Sequence, residues 1–121
     1  MQFVCLIYFD PKVVFGGSPE ANAVLAEVGP HGDRHKAAGH VLMSQALVLP
    51  DEAVTVRVRE GRMSATDGPF AETKEILGGF VLIEARDRDE AVEIAATNPF
   101  AKLGSVEVRP VIDFSKPRPV L

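Results

Sequence analysis

The chain has 121 residues, of which 46% are hydrophobic, and this size and composition predict one domain with a substantial core. Its formal net charge of −4 provides no overall attraction to phosphate backbones, so nucleic-acid binding is not expected. No stretch approaches the roughly 20 consecutive apolar residues of a membrane span, and the opening "MQFVCLIYFD" lacks the charged leading segment of a signal peptide. We therefore expect a cytoplasmic protein with no membrane partner.

The single cysteine, Cys5, lies inside an apolar run. One cysteine cannot form an internal disulfide or a cysteine-based zinc cluster. We expect it to be a small buried hydrophobic residue.

The first predicted elements are a strand and a long helix. Residues Phe3 to Phe9 are all apolar or aromatic, which predicts a strand buried on both faces. In the helix that follows, Ser18 is a good N-cap, Pro19 suits the first helical position and Gly39 closes the end. Pro30 lacks the amide that bonds back four residues, so a kink or a loosened turn is expected there.

A second strand and a hairpin come next. "HVLMSQALVL" predicts the strand, and "VTVRVREGRMSAT" predicts a hairpin that turns at Glu60 and Gly61. Strand alternation directs three residues inward and three outward. The inward set is Val54, Val56 and Val58, and the outward set is Thr55, Arg57 and Arg59.

The remaining elements repeat the strand–helix–strand pattern. "GFVLIEA" predicts a second strand that is apolar on both faces, and Asp87 with Glu90 has the spacing of a capping box that begins a second helix. Pro99 stops this helix, and "SVEVRPVIDF" predicts the last strand. We assign residues 1–113 to a single domain and residues 114–121 to a C-terminal tail.

Without the hairpin, this order is β-α-β-β-α-β, which predicts an α+β protein of ferredoxin-like arrangement with an inserted β-hairpin. In that arrangement both helices cover one face of the sheet, while the central strands carry apolar side chains on both. The bare face needs a cover because monomers seldom expose a large apolar patch. We therefore predict a homodimer that packs sheet to sheet.

Several motifs carry a resemblance to a known family. "TDGPFAETKE", followed by "GGF" and later by "EVRP", resembles the DGPF-type branch of the YCII-related proteins, and the resemblance extends from Met1 to about Asp113. It implies a dimeric α/β barrel built from ferredoxin-like subunits. It implies little about chemistry: one related branch includes a dehydrochlorinase acting on a chlorinated aromatic diol, and some DGPF-type members accompany extracytoplasmic-function sigma factors.

The resemblance does not supply a catalytic pair. The relatives proposed to be catalytic carry a His and an Asp on the first helix, and these positions fall near Val28 and Ala37 here. Neither side chain can transfer a proton. Any activity of this chain therefore needs other residues.

His31 and His35 are the first candidates for acid–base chemistry. They are four residues apart, on the face of the first helix that also carries Val24 and Val28. Imidazoles there could act as acid and base near neutral pH. Two histidines make an incomplete zinc site, so we expect no metal or other cofactor. The alternative is a hydrogen-bonded structural role.

The DGPF segment combines a turn with charged residues. Asp67 can accept hydrogen bonds from nearby amides, Gly68 permits a positive φ, and Pro69 fixes the next residue. Glu72 and Lys74 could offer charges to a polar substrate at a pocket rim, although a solvated loop would have the same composition.

Two functions of different class follow from these candidates. The first is a small-molecule enzyme, lyase-like or hydrolase-like, with a cleft between the first helix and the DGPF loop. The second is a non-catalytic binding or regulatory protein that uses the same cleft. The predicted catalytic residues are His31, His35 and Asp67, and the predicted ligand-binding residues are Tyr8, Glu72 and Lys74. For Tyr8, a core role is the alternative.

Overall fold

Strand pairing defines the architecture of this protein, for which a computed structural model describes residues 1–117. The strands are β1 (Gln2–Phe9), β2 (Val41–Ala46), β3 (Val54–Arg59), β4 (Arg62–Asp67), β5 (Ile76–Glu84) and β6 (Ser105–Pro110). The helices are α1 (Pro11–Val14), α2 (Pro19–Ala37) and α3 (Arg88–Ala96), with short 3₁₀ turns at Pro50–Glu52 and Pro99–Lys102.

Four strands form one antiparallel sheet in the order β2-β5-β1-β6, and β3 pairs with β4 in a separate two-stranded sheet. The protein is therefore a mixed α+β structure, consistent with the predicted ferredoxin-like arrangement. The two strands predicted to be central, β1 and β5, lie next to each other in the middle of the main sheet.

The core lies between the main sheet and the helices. Along β1, Phe3, Cys5, Ile7 and Phe9 are buried, while the residues between them are only partly covered. Cys5 is buried, as predicted, and its burial raises the pKa of the thiol to about 11. The thiol is therefore uncharged at neutral pH. It is also unreactive, because only the thiolate is a good nucleophile.

The predicted caps explain where both long helices begin. The Ser18 hydroxyl accepts a hydrogen bond from the Ala21 amide at 3.1 Å, and the Asp87 carboxylate accepts one from the Glu90 amide at 2.9 Å. At the other end of α2, Gly39 has a φ of +80°. The helix continues through Pro30, so the proline does not end it.

The predicted secondary structure needs correction at helix α1 and at the end of strand β2. Helix α1 was not predicted, although Asp10 before Pro11 is an N-cap signal and the Asp10 carboxylate accepts from the Lys12 amide at 3.0 Å. Strand β2 ends at Ala46, earlier than predicted, because its pairing with β5 ends where Ala46 lies opposite Gly79. Of the predicted tail, residues 118–121 lie outside the described residues, and the domain boundaries stay a prediction.

The hairpin has the predicted strands and turn, but its valines do not face inward. Glu60 and Gly61 both have positive φ, +53° and +74°, as a two-residue turn of the favoured type requires. Val54, Val56 and Val58 are 57%, 61% and 59% exposed. The reason is that, in the described chain, neither a helix nor a strand of the main sheet makes extensive contact with the hairpin.

The DGPF turn closes the base of the hairpin. Gly68 has a φ of +105°, and its amide donates to the Ala53 carbonyl at 2.7 Å. The Thr55 hydroxyl donates to the Gly68 carbonyl at 2.8 Å. The predicted need for a glycine at this turn is thereby confirmed.

Replacing Gly68 with Ala should lower the free energy of unfolding by roughly 1 to 2 kcal/mol, because an L-residue at this φ is strained. Gly29→Ala is the matched control, since both sites have open space around a new Cβ and Gly29 lies inside α2. That change should stabilise the protein by up to about 1 kcal/mol. Urea unfolding measures the free energy of unfolding of both variants. Equal changes in the two would contradict the role assigned to the turn.

Candidate functional site

A cavity of about 480 Å³ lies between the second half of α2 and the main sheet. Its walls are mostly apolar, and its residues come from β1, α2, β2, β5, α3 and the turn after α3. The lining residues include Phe9, Val28, His31, His35, Ala46, Gly78 and Gly79.

The cavity exists because small residues face a helix that carries few large aliphatic side chains. The only buried residues of α2 are Ala21 and Val24, both in its first half. On the sheet, Gly78 leaves room for the ring of Phe9, with which a Cβ at Gly78 would collide. Val28 lines the cavity and is only partly covered. Neither side fills the space between them.

His31 and His35 share one hydrogen-bonding partner. Nε2 of each imidazole lies 3.0 Å from Oγ1 of Thr97, the residue that ends α3. The centroids of the two rings are 4.4 Å apart, as expected for residues one turn apart on a helix. The Thr97 hydroxyl therefore joins α2 to α3 beside the cavity.

The hydrogen bonds determine which nitrogen of each imidazole carries the proton. The Thr97 hydroxyl donates its single hydrogen to the Ile94 carbonyl at 2.7 Å. It can then only accept from His31 and His35, so both must donate from Nε2. We assign the Nε2–H form to both neutral rings from this network. The lone pair of each ring is then on Nδ1.

The pKa of each imidazole is lowered from the ordinary histidine value. Burial is the main cause of the lowered pKa of His31, followed by the positive charges of His35 and Arg34, while Glu27 acts in the opposite direction. Burial also leads for His35, followed by the charges of His40 and Arg34. Both rings are therefore largely neutral at pH 7, with a basic Nδ1.

The two Nδ1 atoms differ in their access to solvent or ligand. Nδ1 of His35 is buried and has no hydrogen-bond partner among residues 1–117. Nδ1 of His31 is not buried in this way. His31 is consequently the better placed of the two to exchange a proton with a bound molecule.

The other predicted site residues do not line the cavity. Asp67 is exposed at the end of β4, and Glu72 and Lys74 are exposed in the following loop. Within one chain the DGPF loop does not line this cavity, and the expected cleft between the first helix and that loop stays a prediction. Tyr8 alternates with Phe9 along β1, and only Phe9 lines the cavity.

Thr97 is the residue that sequence reasoning missed. It lies 62 residues from His35 and 66 from His31, so no local spacing joins them. The available signal was a hydroxyl residue at the end of the second helix, where two helices on one face of a sheet come together.

Two structural findings bear on other classes of site. Among residues 1–117, no three histidine, cysteine, aspartate or glutamate side chains form a group that could hold a metal ion. In the same part of the chain, no helix is both long and apolar enough to span a membrane.

The fold and the cavity define a small α+β protein with an imidazole-lined pocket beneath one helix. The model of the YCII-related domain matches residues 1–115, and the chain belongs to this family. An uncharacterised protein of Rhizobium meliloti (strain 1021) is 36% identical over 114 residues, which is 92% of each chain. Assignment to the DGPF-type branch stays a prediction.

The fold is similar to that of a solved enzyme. This is the 5-chloro-2-hydroxyhydroquinone dehydrochlorinase of Burkholderia phenoliruptrix AC1100, in complex with 2,5-dihydroxybenzoquinone. The TM-score is 0.50 at 17% identity, covering 93% of this chain and 94% of the enzyme. At this identity the similarity concerns the fold.

The lowered histidine pKa values predict a pH-dependent stability. As the pH falls, the unfolded chain binds protons before the folded chain does, near the ordinary histidine pKa of 6.5. Above that pH both rings are neutral in both states, and their contribution to the free energy of unfolding is fully present. It is lost as the pH falls through the lower folded-state values. Urea unfolding at pH 7.5 and pH 5.5 should show a decrease that is smaller in the His31→Gln/His35→Gln variant. An equal decrease in both proteins would contradict this origin.

Proposed function

We propose that the cavity binds a small, largely apolar molecule and that the protein is a small-molecule enzyme of the lyase-like or hydrolase-like kind. The observation that carries this proposal is a pair of neutral imidazoles beside an apolar cavity of about 480 Å³. Ligand pockets typically have volumes of about 300 to 1,000 Å³ and a few placed polar groups in apolar walls.

In this proposal His31 is the general base. A neutral imidazole with a free Nδ1 can accept a proton from a bound molecule, and the lowered pKa of His31 keeps its ring in this neutral form at pH 7. His35 adjoins the first ring and shares its hydroxyl partner. Its positive charge, once formed, would oppose protonation of His31. The two rings therefore act as one coupled acid–base group.

The remaining predicted site residues do not line the cavity of their own chain. Asp67, Glu72 and Lys74 could contribute only if their loop reached a cavity from a second subunit. Tyr8 would need a ligand on the other side of β1. These roles stay predictions, as does the location in the cytoplasm.

The fold similarity to a dehydrochlorinase supports an enzyme by analogy alone, because one fold hosts many functions. The alternative is a non-catalytic ligand-binding or regulatory protein. It is favoured by the buried, unpartnered Nδ1 of His35, which cannot meet a ligand in this conformation. The association with sigma factors that the resemblance implies stays a prediction.

We further propose a homodimer that packs sheet to sheet into a dimeric α/β barrel. The supporting observation is the face of the sheet opposite the cavity. There Val4 lies beside Leu82 and Leu6 follows Val4 on the same face of β1, and none of the three is buried in the single chain. A second copy would cover these apolar side chains.

Sedimentation at micromolar concentration should therefore report twice the chain mass. Leu82→Lys should produce monomers, because it places a charge within the covered face. Val92→Lys on α3 is the matched control, since Val92 is exposed on the helical side, and it should leave the dimer intact. A wild-type monomer would contradict the sheet-to-sheet model.

The cavity itself can be tested with toluene, followed by nuclear magnetic resonance of the surrounding residues. Toluene should shift the signals of residues that line the cavity. Val28→Phe should weaken its binding at least about tenfold, because the larger ring fills the space. Val92→Phe is the matched control outside the cavity. Unchanged signals in the wild type would remove the binding proposal.

Enzyme and binding protein can be separated with a panel of small metabolites in heavy water. An enzyme that abstracts a proton should exchange a carbon-bound hydrogen of a bound compound for deuterium, or convert the compound. The His31→Gln variant should lose that exchange and retain binding. Compounds that bind without exchange or conversion would favour the alternative.

A further inference from the structure

We propose that Thr97 fixes both imidazoles as Nε2–H tautomers, so that the cavity presents a lone pair on His31 and takes ligands that donate an O–H or N–H group. This inference rests on the proposed function of the cavity. It adds a positioning residue and a class of ligand.

The Thr97 hydroxyl has one hydrogen atom to share among its hydrogen-bonding neighbours. Three polar atoms surround Oγ1: the Ile94 carbonyl at 2.7 Å, and Nε2 of His31 and His35 at 3.0 Å each. A carbonyl oxygen can only accept, so the single hydroxyl hydrogen points to Ile94. The two oxygen lone pairs remain for the two rings. One hydroxyl thereby sets the proton position in both imidazoles.

This arrangement determines which ring nitrogen remains available to a ligand. With Nε2 engaged by Thr97, which does not line the cavity, the polar atom that His31 can offer is Nδ1, which carries a lone pair. Nδ1 of His35 is shut off by its burial. A lone pair attracts a hydrogen-bond donor and repels an anion. The cavity lining combines aromatic and aliphatic side chains with other polar ones, such as Gln45 and Asn98, and its apolar part selects an apolar body for the ligand.

The role of Thr97 can be measured without any substrate. Nitrogen-15 shifts of the rings, recorded at pH 8 through the carbon-bound ring hydrogens, report the tautomer directly. Both His31 and His35 should be Nε2–H in the wild type. In Thr97→Val, the ratio of Nε2–H to Nδ1–H should fall roughly two- to tenfold at both rings, which is the value of one hydrogen bond. Thr97→Ser should restore it.

His40 serves as the internal control. It is the remaining histidine of the chain and makes no side-chain hydrogen bond to Thr97 in the described residues. Its tautomer should be the same in all three proteins. An Nδ1–H form of either His31 or His35 in the wild type would overturn the proposal, and so would unchanged shifts in Thr97→Val.

The class of ligand is tested with phenol and anisole, which differ in the single donor hydrogen. Phenol should bind the wild type roughly two- to tenfold more tightly than anisole and should shift Nδ1 of His31. Thr97→Val should reduce this preference, and Thr97→Ser should keep it. Equal binding of both probes would overturn the inference while leaving the cavity's binding function intact. Failure of toluene to bind would instead count against the binding function.

Discussion

The pairing of β1 with β5 is the constraint on which the rest of the structure depends. Both strands carry apolar side chains on their two faces, so they must lie in the middle of a sheet and both faces of that sheet need cover. Helices α2 and α3 cover one face, where Phe3 and Ile83 are almost fully buried. The contact of the Phe9 ring with Gly78 shows how closely the two strands constrain each other, since no side chain at position 78 would leave that ring in place.

The cavity follows from the same pairing. Where β5 has Gly78 and Gly79 and β2 has Ala46, the sheet offers little side-chain volume, and the second half of α2 offers glycine, proline and histidine in place of large aliphatic residues. Interiors are normally filled to crystal-like density, so an unfilled space of ligand size departs from what packing alone would select. Within residues 1–117, the covered polar atoms beside it obey the usual rule that such groups find partners, except at Nδ1 of His35. Such local departures are expected at functional sites.

Much of the fold could be predicted because its determinants are local. The apolar runs identified the central strands, Ser18 and Asp87 marked the helix starts, and Glu60 with Gly61 marked the hairpin turn. The helical spacing of His31 and His35 placed both rings beside the cavity. The partner of those rings could not be predicted, because Thr97 meets them only through the packing of α3 beside α2. The exposure of Val54, Val56 and Val58 could not be predicted for a similar reason, since alternation along a strand says which residues share a face but not whether another element covers it.

The hairpin also carries apolar side chains that are exposed at the surface. Its register places Val56 opposite Ala65 and Val58 opposite Met63, so one of its faces is apolar, while Arg59 lies opposite Arg62 at the tip. A two-stranded hairpin is marginally stable in water, and here the bonds that join Gly68 to Ala53 and Thr55 hold its base. An apolar hairpin face and an apolar sheet face are thus both left without cover in the single chain. Both have one cause in the described residues: the chain contains more apolar strand surface than α2 and α3 can cover. Contiguous apolar surface of this kind is seldom left exposed by monomers, and it often marks a site of interaction.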